Sequence, residues 1–129
     1  MTPHDLPPSA LAFMTARGLA TLTTIRSSGA PHVVPVGYTY DEGAKVVRVI
    51  CSDGTQKVKN AEAGHRAVVC QVDGGHWISL EGPVRVVRDH GAIVDACERY
   101  ARRYHTPREN PQRVVIEIVV DRILGRFPD

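Results

Sequence analysis

Residues 19–51, LATLTTIRSSGAPHVVPVGYTYDEGAKVVRVIC, decide the fold. Leu19 to Ile25 is rich in Thr and aliphatic residues and reads as a strand. Ser27-Ser28-Gly29 supplies turn chemistry, and Pro31 to Tyr40 reads as the returning strand of a hairpin. Asp41-Glu42-Gly43 turns the chain again into a third strand, Lys45 to Cys51. Three strands joined by turns this short must pair antiparallel. Pro35 lies within the second strand and has no N–H to give to a ladder, so it belongs at a sheet edge or a bulge.

The same reading extends outward. Pro7-Pro8-Ser9 opens a short helix, Ser9 to Arg17, with Leu11, Phe13 and Met14 on its apolar side and Gly18 at its stop. A polar turn, Ser52-Asp53-Gly54-Thr55, leads into a helix over Gln56 to Ala63. Ala67 to Val72 is a fourth strand. Asp73-Gly74-Gly75 turns it into a long fifth, His76 to Val87, bent at Gly82-Pro83. Asp89 caps a helix to Tyr104, on which Ile93, Cys97, Tyr100 and Tyr104 share a face. Asp95 with Arg99, and Glu98 with Arg102, are four apart on its other side. Val114 to Leu124 is the last strand. Only two connections contain a helix, so a parallel α/β sheet is disfavoured. The expected fold is a mainly β, α+β single domain over 1–129. It is a closed, six-stranded antiparallel barrel with short flanking helices, because closure removes exposed edges.

Composition narrows the function. A net charge of +2 lacks the basic excess of a nucleic-acid binder, and aromatic residues, at 5%, are too few for a base-stacking surface. No apolar run approaches the roughly 18–20 residues of a membrane span, and the first residues carry no leader pattern. A cytoplasmic protein without membrane or nucleic-acid partners is therefore expected. Cys51, Cys70 and Cys97 are far apart and form no metal-ligand spacing, and the six histidines are scattered, so no metal is expected. No nucleophile elbow, phosphate loop or dinucleotide fingerprint is present, and no catalytic residue can be named.

Three stretches can carry chemistry. Ser52 to Asn60 holds two of the three lysines, Lys57 and Lys59, at a helix start where unpaired N–H groups favour an anion; on composition alone a capped surface helix with solvated lysines is the commoner reading. Gln71 to Gly82 sets the only Trp, Trp77, beside a glycine turn, either as cover for a planar ligand or as a core residue. Arg99, Arg102, Arg103, Arg108 and Arg113 crowd around Tyr100 and Tyr104, as a polyanion site or as a solvated helix face.

Ala20–Thr24, Gly29–Gly37, Gln56–Asn60 and Trp77–Val84 together resemble the flavin/deazaflavin oxidoreductase superfamily, the pyridoxamine-phosphate-oxidase-like split barrels of the FMN-binding type. Arg99–Arg108, Asn110-Pro111 and Arg113–Glu117 are similar to its branch of biliverdin reductases that use coenzyme F420, a deazaflavin with an oligoglutamate tail. The resemblance implies a homodimer with two coenzyme sites between subunits. It implies a phosphate contact at Lys57 helped by Thr55, Gln56 and Asn60, and a ring contact along His32, Val34, Pro35 and Val36. Arg48, Ile50, Cys51 and Ser52 would line the ribityl path. Asp73, Gly74, Gly75 and Trp77 would approach from the facing subunit. Arg103, Asn110 and the arginines from Tyr104 to Arg113 would lie along the tail. The coenzyme would carry the hydride, which explains the missing catalytic motif. For biliverdin, hydride would reach the central methine carbon and a proton a pyrrole nitrogen, giving bilirubin. A quinone-like acceptor, FMN in place of F420, and a carrier that only sequesters its ligand are the alternatives.

Overall fold

A computed structural model describes residues 1–128. Helix α1 (Pro8–Thr15) precedes strands β1 (Ala20–Ile25), β2 (Pro31–Val36), β3 (Thr39–Asp41) and β4 (Val46–Ser52). Helix α2 (Gln56–Glu62) follows, then β5 (Arg66–Asp73) and β6 (His76–Val87). Helix α3 (His90–Arg103), β7 (Arg113–Val119) and β8 (Arg122–Arg126) complete the chain. Every pairing is antiparallel, in the order β2-β1-β5-β6-β7-β4-β3, with β8 on β6. Alternate residues of these strands meet inside: Leu22, Val47, Val49, Val69, Ile78, Leu80, Ile116, Ile118 and Ile123 are all fully buried.

The antiparallel split-barrel class agrees with the sequence, but eight strands replace the expected six. The stretch Pro31–Tyr40 breaks after Val36 because Tyr38 takes its hydrogen bonds from side chains rather than from a strand. Its N–H donates to the Tyr104 hydroxyl at 3.2 Å, and its carbonyl accepts from Arg103 Nη1 at 2.6 Å. The stretch Val114–Leu124 breaks at Val120-Asp121, where one N–H donates to Lys45 O and the next to Glu81 O, both at 3.0 Å. The chain thereby leaves the ladder of β4 and passes along β6 from Val84–Val87 to Trp77–Glu81. The ladder is not closed either. Its two edges, β2 and β3, are successive segments of one chain, joined through Gly37-Tyr38 rather than by hydrogen bonds between strands. β2 is an edge strand, one of the two placements that Pro35 allows.

Gly82 marks where β6 exchanges its neighbours. Up to Glu81 it pairs with β8, and from Val84 with β7. A Cβ on Gly82 would sit 1.8 Å from Val119 O, so only glycine lets the chain pass there. On α3, Asp89 caps as expected, accepting from Ala92 N at 3.0 Å, and Asp95 pairs with Arg99 at 2.9 Å. The Glu98–Arg102 pair is not formed among the described residues. No helix among those residues is long and apolar enough to cross a membrane.

Gly82→Ala should therefore lower stability by about 1–3 kcal/mol, the usual cost of overpacking. A denaturant midpoint equal to that of the parent protein would contradict the steric account.

Candidate functional site

The ends of β2 and β4 lie on either side of the opening, and α2 starts where β4 stops. Pro35, Val36, Ile50, Cys51, Ser52 and Lys57 meet there, around a cavity of about 590 Å³. The structure thus assembles six of the residues expected from the sequence. The far wall comes from the end of α3 and the loop after it: Tyr100, His105, Thr106, Pro107 and Arg108, with Arg113 at the start of β7. Gly37 completes the lining. Its missing side chain lets the tyrosines approach, since a Cβ there would be 3.0 Å from the Tyr100 ring. Tyr100 packs on Tyr104 with centroids 4.8 Å apart, and His105 meets Tyr100 edge-on at 5.8 Å.

The turn before α2 is pinned at several points. Gly54 adopts φ +79°, a left-handed conformation that favours glycine, and its N–H donates to Asp53 Oδ1 at 2.9 Å. Arg88 holds the Asp53 carboxylate at 2.9 Å, keeping its pKa below the usual range, and also reaches Glu62. The Thr55 hydroxyl donates back to Ser52 O at 2.9 Å, so it braces the turn and does not line the cavity. α2 itself has no side-chain cap.

Four-residue spacing explains the Gln56-Lys57-Val58-Lys59-Asn60 pattern. Gln56 Nε2 donates to Asn60 Oδ1 at 2.7 Å, and buried Asn60 donates to Thr24 Oγ1 at 3.0 Å. That amide chain ties α2 to β1, so Gln56 and Asn60 support the helix that presents Lys57. Asn110 also acts from behind the wall. It donates to Ser52 Oγ at 2.8 Å, while its own oxygens accept from Gln112 N at 2.9 Å and Arg113 N at 3.1 Å. Because Ser52 accepts that bond, its own hydroxyl proton is free to donate into the cavity.

The electrostatics are one-sided. Lys57, Arg108 and Arg113 have no carboxylate partner among the described residues; the Arg113 side chain donates to Arg108 O, at 2.6 Å. Burial pushes the Cys51 thiol up to about 11 against the opposing charges of Lys57 and Arg113, so at neutral pH it is a protonated wall group. Among the described residues no cluster has the composition of a metal site.

The remaining expected residues lie elsewhere. Arg48 is held between Asp41 at 2.8 Å and Glu117 at 2.9 Å. Arg103 is spent at the Tyr38 corner. Val34 packs on the core, and His32 Nδ1 is buried without a partner among the described residues. Asp73, Gly74 and Gly75 form the β5–β6 turn, and Trp77 stands partly exposed on the outer face of β6 rather than in the core. None of these lines the cavity of its own chain. Sequence reasoning missed Gly37, Tyr100, His105, Thr106 and Pro107 as lining. The crowding of Tyr100, Tyr104 and His105 at a helix end was the available signal.

Comparison with known proteins matches residues 6–127 to the pyridoxamine 5'-phosphate oxidase family. An F420H(2)-dependent biliverdin reductase of Mycobacterium tuberculosis is 52% identical over 124 residues, covering 96% of this chain and 90% of that one. Among solved structures, a conserved hypothetical protein of Mycobacterium tuberculosis superimposes with a TM-score of 0.80 at 21% identity, covering 95% of this chain and 86% of that one. A protein described as an F420 reductase gives 0.72 at 20% identity, covering 92% and 98%. At such identities the structural matches speak for the fold. The family match spans nearly the whole chain: the chain belongs to the pyridoxamine 5'-phosphate oxidase family.

Proposed function

We propose that the chain is an oxidoreductase that binds coenzyme F420 in this cavity and reduces a conjugated acceptor, with biliverdin to bilirubin as the leading reaction. The observation that carries the reading is the set Lys57, Arg108 and Arg113, none with a carboxylate partner among the described residues, beside the ends of β2 and β4. A planar group with a phosphate and an acidic tail matches that donor set. The 52% identical reductase supports both coenzyme and acceptor.

Each residue has a definable task. Lys57 and the Ser52 hydroxyl hold the phosphate. Pro35, Val36 and Ile50 offer a flat apolar surface to the ring system. Arg108 and Arg113 take the acidic tail, which FMN lacks, so they favour the deazaflavin. The reduced coenzyme supplies the hydride when bound. The chain orients it and, through the Tyr100–His105 wall, limits water on one side.

A homodimer belongs to this reading. Val33, Val72, Trp77 and Leu124 are exposed apolar residues on the outer face formed by β2, β1, β5, β6 and β8, and a second copy would cover them. The Asp73–Trp77 turn would then approach the partner's cavity. Sedimentation should give twice the 14.1 kDa chain mass at micromolar concentration. A monomer that retains full coenzyme affinity would remove the shared site.

Turnover is the direct test. Reduced F420 mixed with biliverdin and the protein should regain the absorbance of the oxidised deazaflavin as bilirubin forms. Binding without turnover of biliverdin or of a quinone would leave a carrier, and equal turnover with NADPH alone would refute the coenzyme assignment.

Lys57→Ala should weaken F420 binding about ten- to a hundredfold, the value of one charge-assisted hydrogen bond. Exposed Lys59 lies outside the cavity, and its alanine variant should bind almost normally. Fluorescence titration of Trp77 with F420 and with FMN measures both variants. A larger loss for Lys59 than for Lys57 would put the phosphate on the wrong face.

A further inference from the structure

One face of the sheet carries a row of charge beside α3. Arg48 on β4, Glu117 on β7 and Arg85 on β6 are register partners on three adjacent strands. Arg48 donates to one Glu117 oxygen at 2.9 Å, and Arg85 donates to the other at 2.8 Å. Arg48 also donates to Asp41, at the end of β3, at 2.8 Å. Asp41 in turn pairs with Arg99 of α3 at 3.3 Å, and Arg99 holds Asp95 of its own helix at 2.9 Å. Acid and base therefore alternate without a break, Asp95–Arg99–Asp41–Arg48–Glu117–Arg85, from the helix onto the sheet.

Apolar packing seats α3 only thinly. It lies against β3, β4 and β7, but Ala96 is its one fully buried residue. Ile93, Cys97 and Tyr100 are partly buried, and Val94 is exposed. The last turn is fastened by Arg103 at the Tyr38 corner; the charged row is a second fastening. Its inner members are shielded: the side chains of Arg48 and Asp41 are each 14% exposed and that of Glu117 7%, so salt screens them little. Burial alone would raise the Asp41 carboxyl, but Arg48, the Ala44 N–H and Arg99 hold it below the usual range, so the bridge stays ionised at neutral pH.

The row adjoins the cavity of Lys57. Side chains alternate along β4, so Arg48 shares a face with Ile50 and Ser52, which line that cavity. Arg99 immediately precedes Tyr100, which with His105 and Arg108 forms the far wall, yet Arg99 does not line the cavity itself. Asp41 is fixed to the β3–β4 turn, because its other oxygen accepts from Ala44 N at 3.1 Å.

We propose that Arg99 is a positioning residue for this cavity: through Asp41 and Arg48 it seats the end of α3 on β4, and so sets where Tyr100, His105 and Arg108 stand opposite Lys57. The role rests on the reading that F420 occupies the cavity; the seating of the helix does not.

The test uses Arg99→Gln in the full chain. Asp41 keeps Arg48, and Glu117 keeps both its arginines, so no buried charge is stranded and the variant should fold. In the coenzyme-free protein, amide exchange at Ala101–Tyr104 should quicken, while exchange in β1 and β5 stays as it was. Affinity for F420 should fall about three- to fivefold, because the wall can transmit no more than one partly exposed ion pair is worth. FMN, which has no acidic tail to meet Arg108 and Arg113, should lose less; a general loss of structure would weaken both alike. Asp41→Asn should act in the same direction, and the double variant should bind no worse than Asp41→Asn alone, because both changes remove one contact. Unchanged exchange at Ala101–Tyr104, equal losses for F420 and FMN, or additive losses in the double variant would overturn the proposal. Failure of the parent protein to bind F420 is a different outcome: it refutes the coenzyme reading, and exchange at Ala101–Tyr104 then decides alone whether Arg99 positions the wall.

Discussion

The guanidinium of Arg103 holds the fold at the corner where β2 gives way to β3. The two edges of the sheet meet at Gly37-Tyr38, where no ladder supplies hydrogen bonds. Arg103 donates to Tyr38 O, Ala16 O and Gln71 Oε1, and lies 4.5 Å from the Tyr38 ring centroid and 5.1 Å from that of Tyr104. One planar cation thereby joins α3, the end of α1, β5 and the corner. Tyr104 reinforces it by donating to Gly18 O at 2.6 Å. The Tyr38 hydroxyl donates to Gln71 at 2.7 Å, and burial raises its pKa far above the ordinary value, so it stays neutral. Lysine could not serve there, because one ammonium cannot span three acceptors in a plane.

The placement of the cavity follows from that corner. With the end of α3 fixed, Tyr100 and His105 must lie across the end of β2, and the following loop brings Arg108 beside Lys57. The opposite wall depends on other contacts, those of Gln56 and Asn60 with Thr24 and those of Arg88 with Asp53 and Glu62. The site is therefore supported on both sides by groups that do not line it. Such support is what keeps a binding geometry within the narrow tolerance that ligand orientation needs.

Local pattern revealed what local forces decide. Short turns implied antiparallel pairing, Pro35 implied an edge or a bulge, and Gln-Lys-x-x-Asn implied a helix start that presents Lys57. The corner at Tyr38 and the break at Val120-Asp121 were hidden because their bonds come from residues far away in sequence. Arg48 and Arg103 illustrate the same limit. An arginine's neighbours in sequence do not say whether its partners will be a ligand, as expected from the resemblance, or Asp41 and Glu117, or the carbonyl of Tyr38. The Asp73–Trp77 turn differs again: it lies away from the cavity of its own chain, so any role for it needs a second copy.

The pairing of carboxylates, as much as the placement of cations, sets the charge at the candidate site. Asp41 and Glu117 are held by Arg48, Asp53 and Glu62 by Arg88, and Glu81 and Asp121 by Arg66. Pairs exposed to solvent contribute little to stability, each about 0–1 kcal/mol. Their effect is to tie up those six carboxylates, and none of Lys57, Arg108 and Arg113 has a carboxylate partner among the described residues. A chain with a net charge of only +2 can in this way present a strongly cationic surface at one place. A lone phosphate needs little more than Lys57 and a hydroxyl. Under the function proposed above, the two further arginines suit a ligand whose negative charge continues beyond its phosphate.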